Sequence, residues 1–267
     1  MSEKPTFSGR RPKPAPQGVA LARALSKWGI CSRRAAELMI GAGKVMVGQL
    51  VVKDPSWRID MNRDRVTLEG RPVQSAARVY LMLNKPRGVV TTADDEQGRS
   101  TVYGCLADAD SEPPLPWVGP VGRLDKASEG LLLLTNDTRW AATLLAPESH
   151  VDKRYHVQID RVPDGDLCAR LERGLVDEQG VPVRAKRAQV LRAGARHGWL
   201  DVVLDEGKNR QIRRLIAALG IEVLRLVRVQ VGPLPLGDLA KGAWRHLTAA
   251  EVAALHVAGG RGGRGMM

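Results

Sequence analysis

The amino-acid sequence predicts an α+β protein with two folded parts. One is a small N-terminal domain of α-helices and a β-hairpin, and the other is a larger domain with a mixed, mostly antiparallel sheet flanked by helices. Hydrophobic residues make up 43% of the 267 residues and support a real core, although aromatic residues supply only 4%. Two short amphipathic helix patterns come first and are followed by short strand patterns. Beyond residue 78, strands and helices mix irregularly with hairpin-like joins, which favours α+β over a strict βαβ alternation.

The net charge indicates what kind of partner the protein has. Lys and Arg number 41 against 29 Asp and Glu, which gives a formal charge of +12. An excess of this size points to a polyanionic partner, most simply nucleic acid. The sequence contains no apolar run near the ~20 residues that a membrane span needs, and its polar start lacks a signal-peptide pattern. We therefore expect a cytoplasmic protein that binds nucleic acid and no membrane.

The cysteines and histidines do not predict a metal site. Cys31, Cys105 and Cys168 lie far apart, without a CxxC pair, and the five His residues do not have metal-ligand spacing. We expect free thiols in a reducing compartment and no structural metal.

Composition divides the chain into four segments. Residues 1–17 are rich in Pro, Lys and Arg without periodicity, which predicts a disordered basic arm. Residues 18–77 form the small domain and residues 78–256 the larger one. The Gly- and Arg-rich residues 257–267 are predicted to be a disordered tail. No large apolar stripe is left unassigned, so we expect a monomer.

The small domain begins with two helices and a hairpin. Leu21, Leu25 and Trp28 follow helical spacing, and Ser32 is a candidate N-cap for a second helix. That second helix is predicted to place Ala35, Leu38 and Met39 on one face. The stretch "KVMVGQLVV" then predicts a hairpin that turns at Gly48-Gln49, and "DRVTLEGRPV" predicts two more short strands.

Residues 21–49, "LARALSKWGICSRRAAELMIGAGKVMVGQ", resemble the S4-like RNA-binding module. The resemblance implies that an RNA backbone is contacted by Arg23, Lys27, Ser32, Arg33 and Arg34. The turn reads Val47-Gly48-Gln49 where the family usually has V-N-G, so this chain lacks the asparagine of the family's turn.

In the larger domain, Tyr80–Leu83 and Leu131–Leu134 are predicted buried strands, the first followed by a turn at residues 85–88. "RYHVQID", "WLDVVLDEG" and "VLRLVRVQVG" also predict strands, and Leu200, Val202 and Leu204 alternate onto one face.

Three helices accompany these strands. "DTRWAATLLAP" is predicted to start at an Asp137 N-cap, with three residues facing inward, namely Trp140, Leu144 and Leu145. "DGDLCARLERG" predicts the second helix. "NRQIRRLIAALG" predicts the third, capped by Asn209, with an apolar face formed by Ile212, Leu215, Ile216 and Leu219.

Four short segments stand out in this larger domain: "NKPRG" at 84–88, "GRLD" at 122–125, "KRYHV" at 153–157 and "EGKNRQIRRL" at 206–215. In this order, behind an S4-like module, they resemble the motifs of the pseudouridine synthases, specifically the RsuA/RluB-type ribosomal RNA family. The resemblance runs from about residue 18 to "GAWRHLTAAEV" at 242–252 and is most specific at "GRLDKASEGLLLLTND".

The resemblance implies an isomerase that uses neither metal nor organic cofactor. Asp125 matches the catalytic aspartate, and the residues leave open whether it attacks the sugar carbon or removes a ribose proton. Burial would oppose an ionised Asp125, and the resemblance assigns the compensating cation to Arg213, with Arg123 as a further pocket residue. Tyr155 matches the aromatic residue that stacks on the target base. Further candidate RNA contacts are Lys85, Lys153, Lys208 and Arg210.

"NRQIRRL" is more similar to large-subunit than to small-subunit ribosomal RNA enzymes, so 23S ribosomal RNA is the expected substrate and 16S the alternative. The expected partner is ribosomal RNA or a ribosomal subunit precursor. A non-catalytic ribosome-assembly protein is a second alternative, although it would not need Asp125, Tyr155 and Arg213 together. A hydrolase ranks last, because glycosidases need two carboxylates that flank the bond.

Overall fold

The computed structural model describes residues 18–106 and 114–260. Among these, residues 18–78 and 114–118 form a small unit, and residues 79–106 and 119–260 form a large unit. The predicted basic arm and residues 261–267 of the predicted tail lie outside the described residues.

The small unit contains two helices and six short strands. They are β1 (Val19–Ala20), α1 (Leu21–Lys27), α2 (Arg33–Gly41), β2 (Val45–Val47), β3 (Leu50–Val51), β4 (Arg58–Ile59), β5 (Val66–Leu68) and β6 (Arg71–Pro72). Strand β1 pairs with β4, and the other four form a sheet in the order β3-β2-β5-β6. Val47 pairs with Leu50 across Gly48-Gln49, so the predicted hairpin is confirmed.

Helix α2 begins as predicted but buries a different face. The Ser32 hydroxyl accepts a hydrogen bond from the Ala35 N–H at 3.0 Å, which confirms the N-cap. Of the predicted face, Met39 packs against the core, but Leu38 is 68% exposed, and the fully buried residues are Ala36 and Ile40. The helix has nine residues, and its apolar positions fit two adjacent stripes. The stripe that contains Ala36 and Ile40 is the buried one, because these two residues pack in the same core cluster as α1.

Residues 114–118 join the small unit although they follow residue 78 by a long stretch of chain. The Trp117 N–H donates to the carbonyl of Gly29 at 2.8 Å, and Val118 is 2% exposed. This return is a non-local contact, which local sequence patterns do not predict.

The large unit contains eleven strands and four α-helices, with a 3₁₀ turn at Pro147–Ser149. They are β7 (Tyr80–Lys85), β8 (Gly119–Val121), β9 (Glu129–Thr135), α3 (Thr138–Leu145), β10 (Lys153–Ile159), α4 (Gly165–Arg173), β11 (Leu175–Val176), β12 (Pro182–Val183), β13 (Arg187–Ala193), β14 (Gly198–Leu204), α5 (Gln211–Ala217), β15 (Val223–Val231), β16 (Leu234–Pro235), β17 (Trp244–His246) and α6 (Ala249–Gly260).

Nine of these strands form one sheet in the order β13-β14-β10-β15-β9-β7-β17, with β16 beside β15 and β8 beside β9. Strands β9 and β15 run parallel, and the other pairs are antiparallel. The predicted mixed, mostly antiparallel sheet is confirmed. Strands β11 and β12 form a separate two-stranded ribbon.

Two apolar clusters cover different parts of the sheet. The first joins β10, β14 and β15 to α4 and α5, and it includes the predicted inward residues Leu200, Val202 and Leu204. The second joins Leu131 and Leu133 of β9 to α3 and α6. Asp137 caps α3 as predicted, by accepting from the N–H groups of its first turn. Leu145 does not face inward, because it is the last residue of α3 and is 52% exposed.

Two further boundaries differ from expectation. Helix α6 continues through Gly260, so the segment from residue 257 begins inside a helix instead of a disordered tail. Helix α5 is not capped by Asn209. Its N-cap is Arg210, which has a left-handed backbone conformation with φ 48° and no side-chain capping bond.

Candidate active site

Asp125 lies in the loop between β8 and β9, and a hydroxyl holds that loop in place. Thr91 Oγ1 donates to the carbonyl of Leu124 at 2.8 Å and accepts from the Leu124 N–H at 3.3 Å. The Ser128 N–H donates to the carbonyl of Asp125 at 2.9 Å. Leu124 is buried, whereas the side chain of Asp125 is 37% exposed. The backbone is therefore fixed while the carboxylate reaches solvent.

Gly130 lets two strands approach closely just beyond this loop. It has φ 101°, and a Cβ atom there would lie 2.3 Å from the carbonyl oxygen of Arg228. Arg228 lies opposite Gly130 in the parallel pair, and its Nε donates to the carbonyl of Leu131 at 2.7 Å. Only glycine fits here, because any side chain would push β9 away from β15.

Lys85 lies beneath the loop and not at the surface. It is 0% exposed, and its Nζ donates to the carbonyls of Ser128 at 2.8 Å and Pro86 at 3.0 Å. Burial lowers the pKa of Lys85 to about 8, against smaller opposing contributions that include Asp125. The expected contact between Lys85 and an RNA phosphate does not fit this position. The ammonium supports the Asp125 loop from inside.

Two arginines lie near Asp125, whereas the family resemblance assigned the compensating cation to Arg213. Arg210 Nη1 lies 3.5 Å from Asp125 Oδ2. Arg213 instead donates to the carbonyls of Ala127 and Val223, both at 3.2 Å. Burial and the nearby Arg210 lower the pKa of Arg213, whereas Asp125 raises it. Arg213 is thus within electrostatic range of Asp125, but its hydrogen bonds tie the loop to the start of β15.

The start of α5 is held by buried polar contacts. Gln211 is 2% exposed, and its Nε2 donates to Glu206 Oε1 at 2.6 Å. Glu206 also pairs with Lys208 at 3.0 Å. Arg214 Nε lies 2.7 Å from Asp177 Oδ2, and the side chain of Asp177 is 3% exposed. Arg214 therefore fixes α5 against the β11–β12 ribbon and is not available to substrate.

Tyr155 belongs to a row of residues that crosses the sheet toward the loop. It lies opposite Val202 of β14 and Arg228 of β15, and Arg228 lies opposite Gly130 of β9. With strands ~4.8 Å apart, the backbone of Tyr155 is about 10 Å from that of Gly130. Tyr155 is half-buried and packs on the cluster that contains α5. It therefore shares the α5 side of the sheet.

Lys153 is also half-buried in β10, on the same face as Tyr155. Burial and Arg228 lower the pKa of Lys153, while Asp152 and Asp205 raise it. Arg123 is exposed and follows Gly122, which has φ 75°. Both cations remain predicted RNA contacts.

The candidate RNA contacts of the small unit lie on its two helices. Arg23 is exposed on α1 and Lys27 is half-buried one turn later. Arg33 and Arg34 are exposed in the first turn of α2, immediately after Ser32. These residues also remain predictions.

Two supporting groups, Thr91 and Glu129, are not among the predicted site residues. Thr91 was one β-branched residue among several, and nothing local marked its contact with Leu124. Glu129 is 2% exposed and contacts both Arg225 at 3.0 Å and Lys241 at 2.7 Å. Burial alone raises the pKa of Glu129, but the hydrogen bonds from these two cations bring it below its usual value.

Within residues 18–106 and 114–260, no group of three or more His, Cys, Asp or Glu side chains could hold a metal ion. In the same residues, no helix is both long and apolar enough to cross a membrane.

A carboxylate loop beside the central strands of a mixed sheet, with a separate basic helix–hairpin unit, is the arrangement expected of an RNA-modifying enzyme with its own RNA-binding domain. The family described as RNA pseudouridylate synthase matches residues 79–218, and the S4 domain matches residues 21–65. The chain belongs to the RNA pseudouridylate synthase family and carries an S4 domain, as the motifs predicted.

Similar proteins agree with this assignment. The ribosomal large subunit pseudouridine synthase B of Bacillus subtilis is 36% identical over 234 residues, which cover 87% of this chain and 93% of that protein. An uncharacterised RNA pseudouridine synthase of Mycobacterium bovis is 39% identical over 249 residues, covering 92% and 96%. A crystal structure of a pseudouridylate synthase superposes with a TM-score of 0.62 at 26% identity, covering 89% of this chain and 99% of that one.

Proposed function

We propose that the protein isomerises a uridine of large-subunit ribosomal RNA to pseudouridine, with Asp125 as the catalytic carboxylate. The observation that carries the proposal is the partly exposed Asp125 carboxylate, held on a rigid loop beside Arg210 and Arg213. The similarity to the Bacillus subtilis large-subunit enzyme, over 87% of this chain, favours the large subunit.

The reaction rearranges one nucleotide without adding atoms. The bond between N1 of uracil and C1′ of ribose breaks, the uracil turns, and a bond forms between C5 and C1′. The hydrogen on C5 is then lost as a proton, and N1 gains one. Asp125 either attacks the ribose carbon or removes a ribose proton, and both roles need an ionised carboxylate.

The neighbouring groups suit that need. Among the residues that the structure describes, Arg210 is the one side chain hydrogen-bonded to Asp125, and this contact leaves Oδ1 available to the ribose. Arg213 keeps the Asp125 loop against β15 through the Ala127 carbonyl. The loop does not need to reorganise when the sugar arrives, and such preorganisation is what makes electrostatic stabilisation effective.

Tyr155 supplies the surface for the base. A uridine must leave its helix to be reached, and an aromatic side chain stabilises the extruded base by stacking. The S4 domain, with its exposed arginines on α1 and α2, holds the surrounding RNA by its backbone.

Release of tritium from ribosomal RNA labelled at uridine C5 tests the proposal, because joining C5 to the sugar must expel that hydrogen. We expect release by the wild type from 23S but not 16S RNA, and none by Asp125→Asn. Asp166→Asn is the matched control, because it makes the same charge change at an exposed position of α4. Release by Asp125→Asn would refute the catalytic assignment. Tight binding without release by the wild type, on RNA and on subunit precursors alike, would point to an assembly protein instead.

A further inference from the structure

Part of the sheet exposes a face on the side opposite to Tyr155. On β10, β14 and β15 one face is apolar and packs against α4 and α5, with residues such as Val157 and Leu200. The opposite face carries a row of paired residues across four strands. This row comprises Arg192 of β13, Trp199 of β14, Gln158 of β10 and Arg225 of β15. All four side chains are partly or fully exposed. We call this surface the open face.

Trp199 holds two guanidinium groups on the open face. The guanidinium carbon of Arg192 lies 4.9 Å from the centre of the Trp199 ring, and that of Arg225 lies 5.4 Å from it. Both distances are typical of cation–π contacts. Arg225 is also paired with Glu129, but Arg192 has no ion-pair partner among the residues that the structure describes. Arg192 is thus positioned by an aromatic ring without being neutralised.

The open face has an excess of positive charge. The next row on this face pairs His156 of β10 with Asp201 of β14, and the row after it pairs Arg154 with Val203, which in turn pairs with Arg187 of β13. The cations on or beside the face are Arg154, Arg187, Arg192, Arg225 and Lys241, and the carboxylates that they contact are Asp201 and Glu129. Five cations against two carboxylates leave a formal excess of three. An exposed surface of this kind matches a polyanion.

We propose that the open face binds a second segment of the substrate RNA, with a base stacked on the Arg192–Trp199 pair and phosphates beside the neighbouring cations. The proposal rests on the proposed function only in taking RNA as the substrate. Proteins recognise single-stranded RNA by contacts of this kind, namely stacking on aromatic rings and guanidinium planes, with cations along the backbone. Because Tyr155 lies on the other side of the sheet, this segment is distinct from the one that enters the active site.

Binding of protein-free 23S RNA transcripts of two lengths tests the proposal with the full-length protein. The short transcript is the smallest stem-loop that the wild type still modifies, and the long one adds the flanking strands. Arg192→Glu should raise the Kd for the long transcript roughly five- to tenfold and reduce the salt slope by about one. Its Kd and tritium release on the short stem-loop should match the wild type.

Two further variants separate the effect of the charge from that of the planar guanidinium group, and the effect of position 192 from that of any charge reversal. Arg192→Lys keeps the charge but loses the planar group, so it should keep the wild-type salt slope while still binding the long transcript more weakly. Arg170→Glu makes the same charge change as Arg192→Glu at an exposed position of α4, and it should leave both transcripts unaffected.

Three results would overturn the proposal. The first is an unchanged Kd and salt slope for Arg192→Glu on the long transcript. The second is an equal rise in the Kd of Arg192→Glu for both transcript lengths. The third is a loss of binding by Arg192→Glu that is seen only with ribosomal particles. The last would assign the open face to a protein partner. Failure of the proposed function has a different signature: the wild type would release no tritium, whatever the binding of Arg192→Glu.

Discussion

Arg210 Nη1 lies 3.5 Å from Asp125 Oδ2, and Arg210 makes this contact from the left-handed N-cap of α5. A non-glycine residue in that conformation costs about 1 kcal/mol or more and persists where surrounding contacts enforce it. Here the neighbouring Gln211 is buried and bonded to Glu206, which fixes the start of the helix. The strained residue is therefore the one that faces the carboxylate.

The two arginines should respond differently to lysine. Arg210→Lys keeps a cation beside Asp125, and the side chain of Arg210 is 52% exposed, so we expect kcat to stay within about threefold. Arg213→Lys replaces two separate Nη donors by one ammonium, which weakens the bonds to the Ala127 and Val223 carbonyls, and kcat should fall at least about tenfold. Single-turnover tritium release and filter binding separate kcat from RNA affinity. A larger loss for Arg210→Lys would mean that the direct contact, and not the loop anchor, limits the chemistry.

The ring of Tyr155 should matter more than its hydroxyl. Tyr155→Leu removes the stacking surface, and kcat/KM should fall roughly ten- to a hundredfold. Tyr155→Phe keeps the ring and is the matched control, with kcat/KM expected within about threefold of the wild type. Kinetics on one labelled stem-loop provide the comparison. Equal losses in the two variants would assign the role to the hydroxyl and contradict stacking as the main contribution.

Gly130 should not tolerate a methyl group. Gly130→Ala would place Cβ 2.3 Å from the carbonyl oxygen of Arg228 at φ 101°, so the free energy of unfolding should fall by about 3 kcal/mol or more. Gly165→Ala is the control, because the first residue of α4 has open space for a Cβ, and its effect should stay below about 1 kcal/mol. Thermal unfolding of both variants tests this, and similar melting temperatures would contradict it.

Lys85 should make stability depend on pH in the alkaline range. Burial lowers its pKa from 10.5 to about 8, so between these values the unfolded chain holds a proton that the folded protein lacks. Stability therefore rises with pH across this window, by at most about 1.4 kcal/mol per pH unit, and the gain is lost as pH falls through 8. Lys85→Met removes this contribution.

Urea unfolding of the wild type and Lys85→Met at several pH values measures the effect. The variant loses the bond to the Ser128 carbonyl at every pH, so it should be less stable throughout. The stability difference between the two proteins should widen from pH 8 to pH 10.5, within the pKa interval of Lys85. Two parallel stability curves would show that Lys85 titrates at its ordinary pKa.

The features predicted from sequence are those set by short-range patterns. Caps at Ser32 and Asp137, the hairpin turn at Gly48-Gln49 and the alternation of Leu200, Val202 and Leu204 depend on neighbours within one helix or strand. The candidate residues of the active site came from motif resemblance, since spacing along the chain does not bring Asp125 and Tyr155 together.

The incorrect predictions concern residues whose burial or capping depends on contacts with distant parts of the chain. Lys85 has the sequence appearance of a surface lysine, and only the Ser128 and Pro86 carbonyls above it make burial possible. Leu38 and Ala36 are equally good candidates for an inward position until α1 packs on one of them. The N-cap of α5 is Arg210 instead of Asn209 because of the contacts that the fold makes around Gln211.

The return of residues 114–118 to the small unit affects the order in which the protein can be completed during synthesis. Residues 18–78 leave the ribosome before Trp117, whose N–H bonds the Gly29 carbonyl. Trp117 is translated only after β7 and the segment that follows it. The small unit thus gains its last segment while the large one is still growing. A chain that ends at residue 78 would lack the Trp117 N–H that bonds the Gly29 carbonyl. Residues 18–78 alone therefore do not contain the whole small unit.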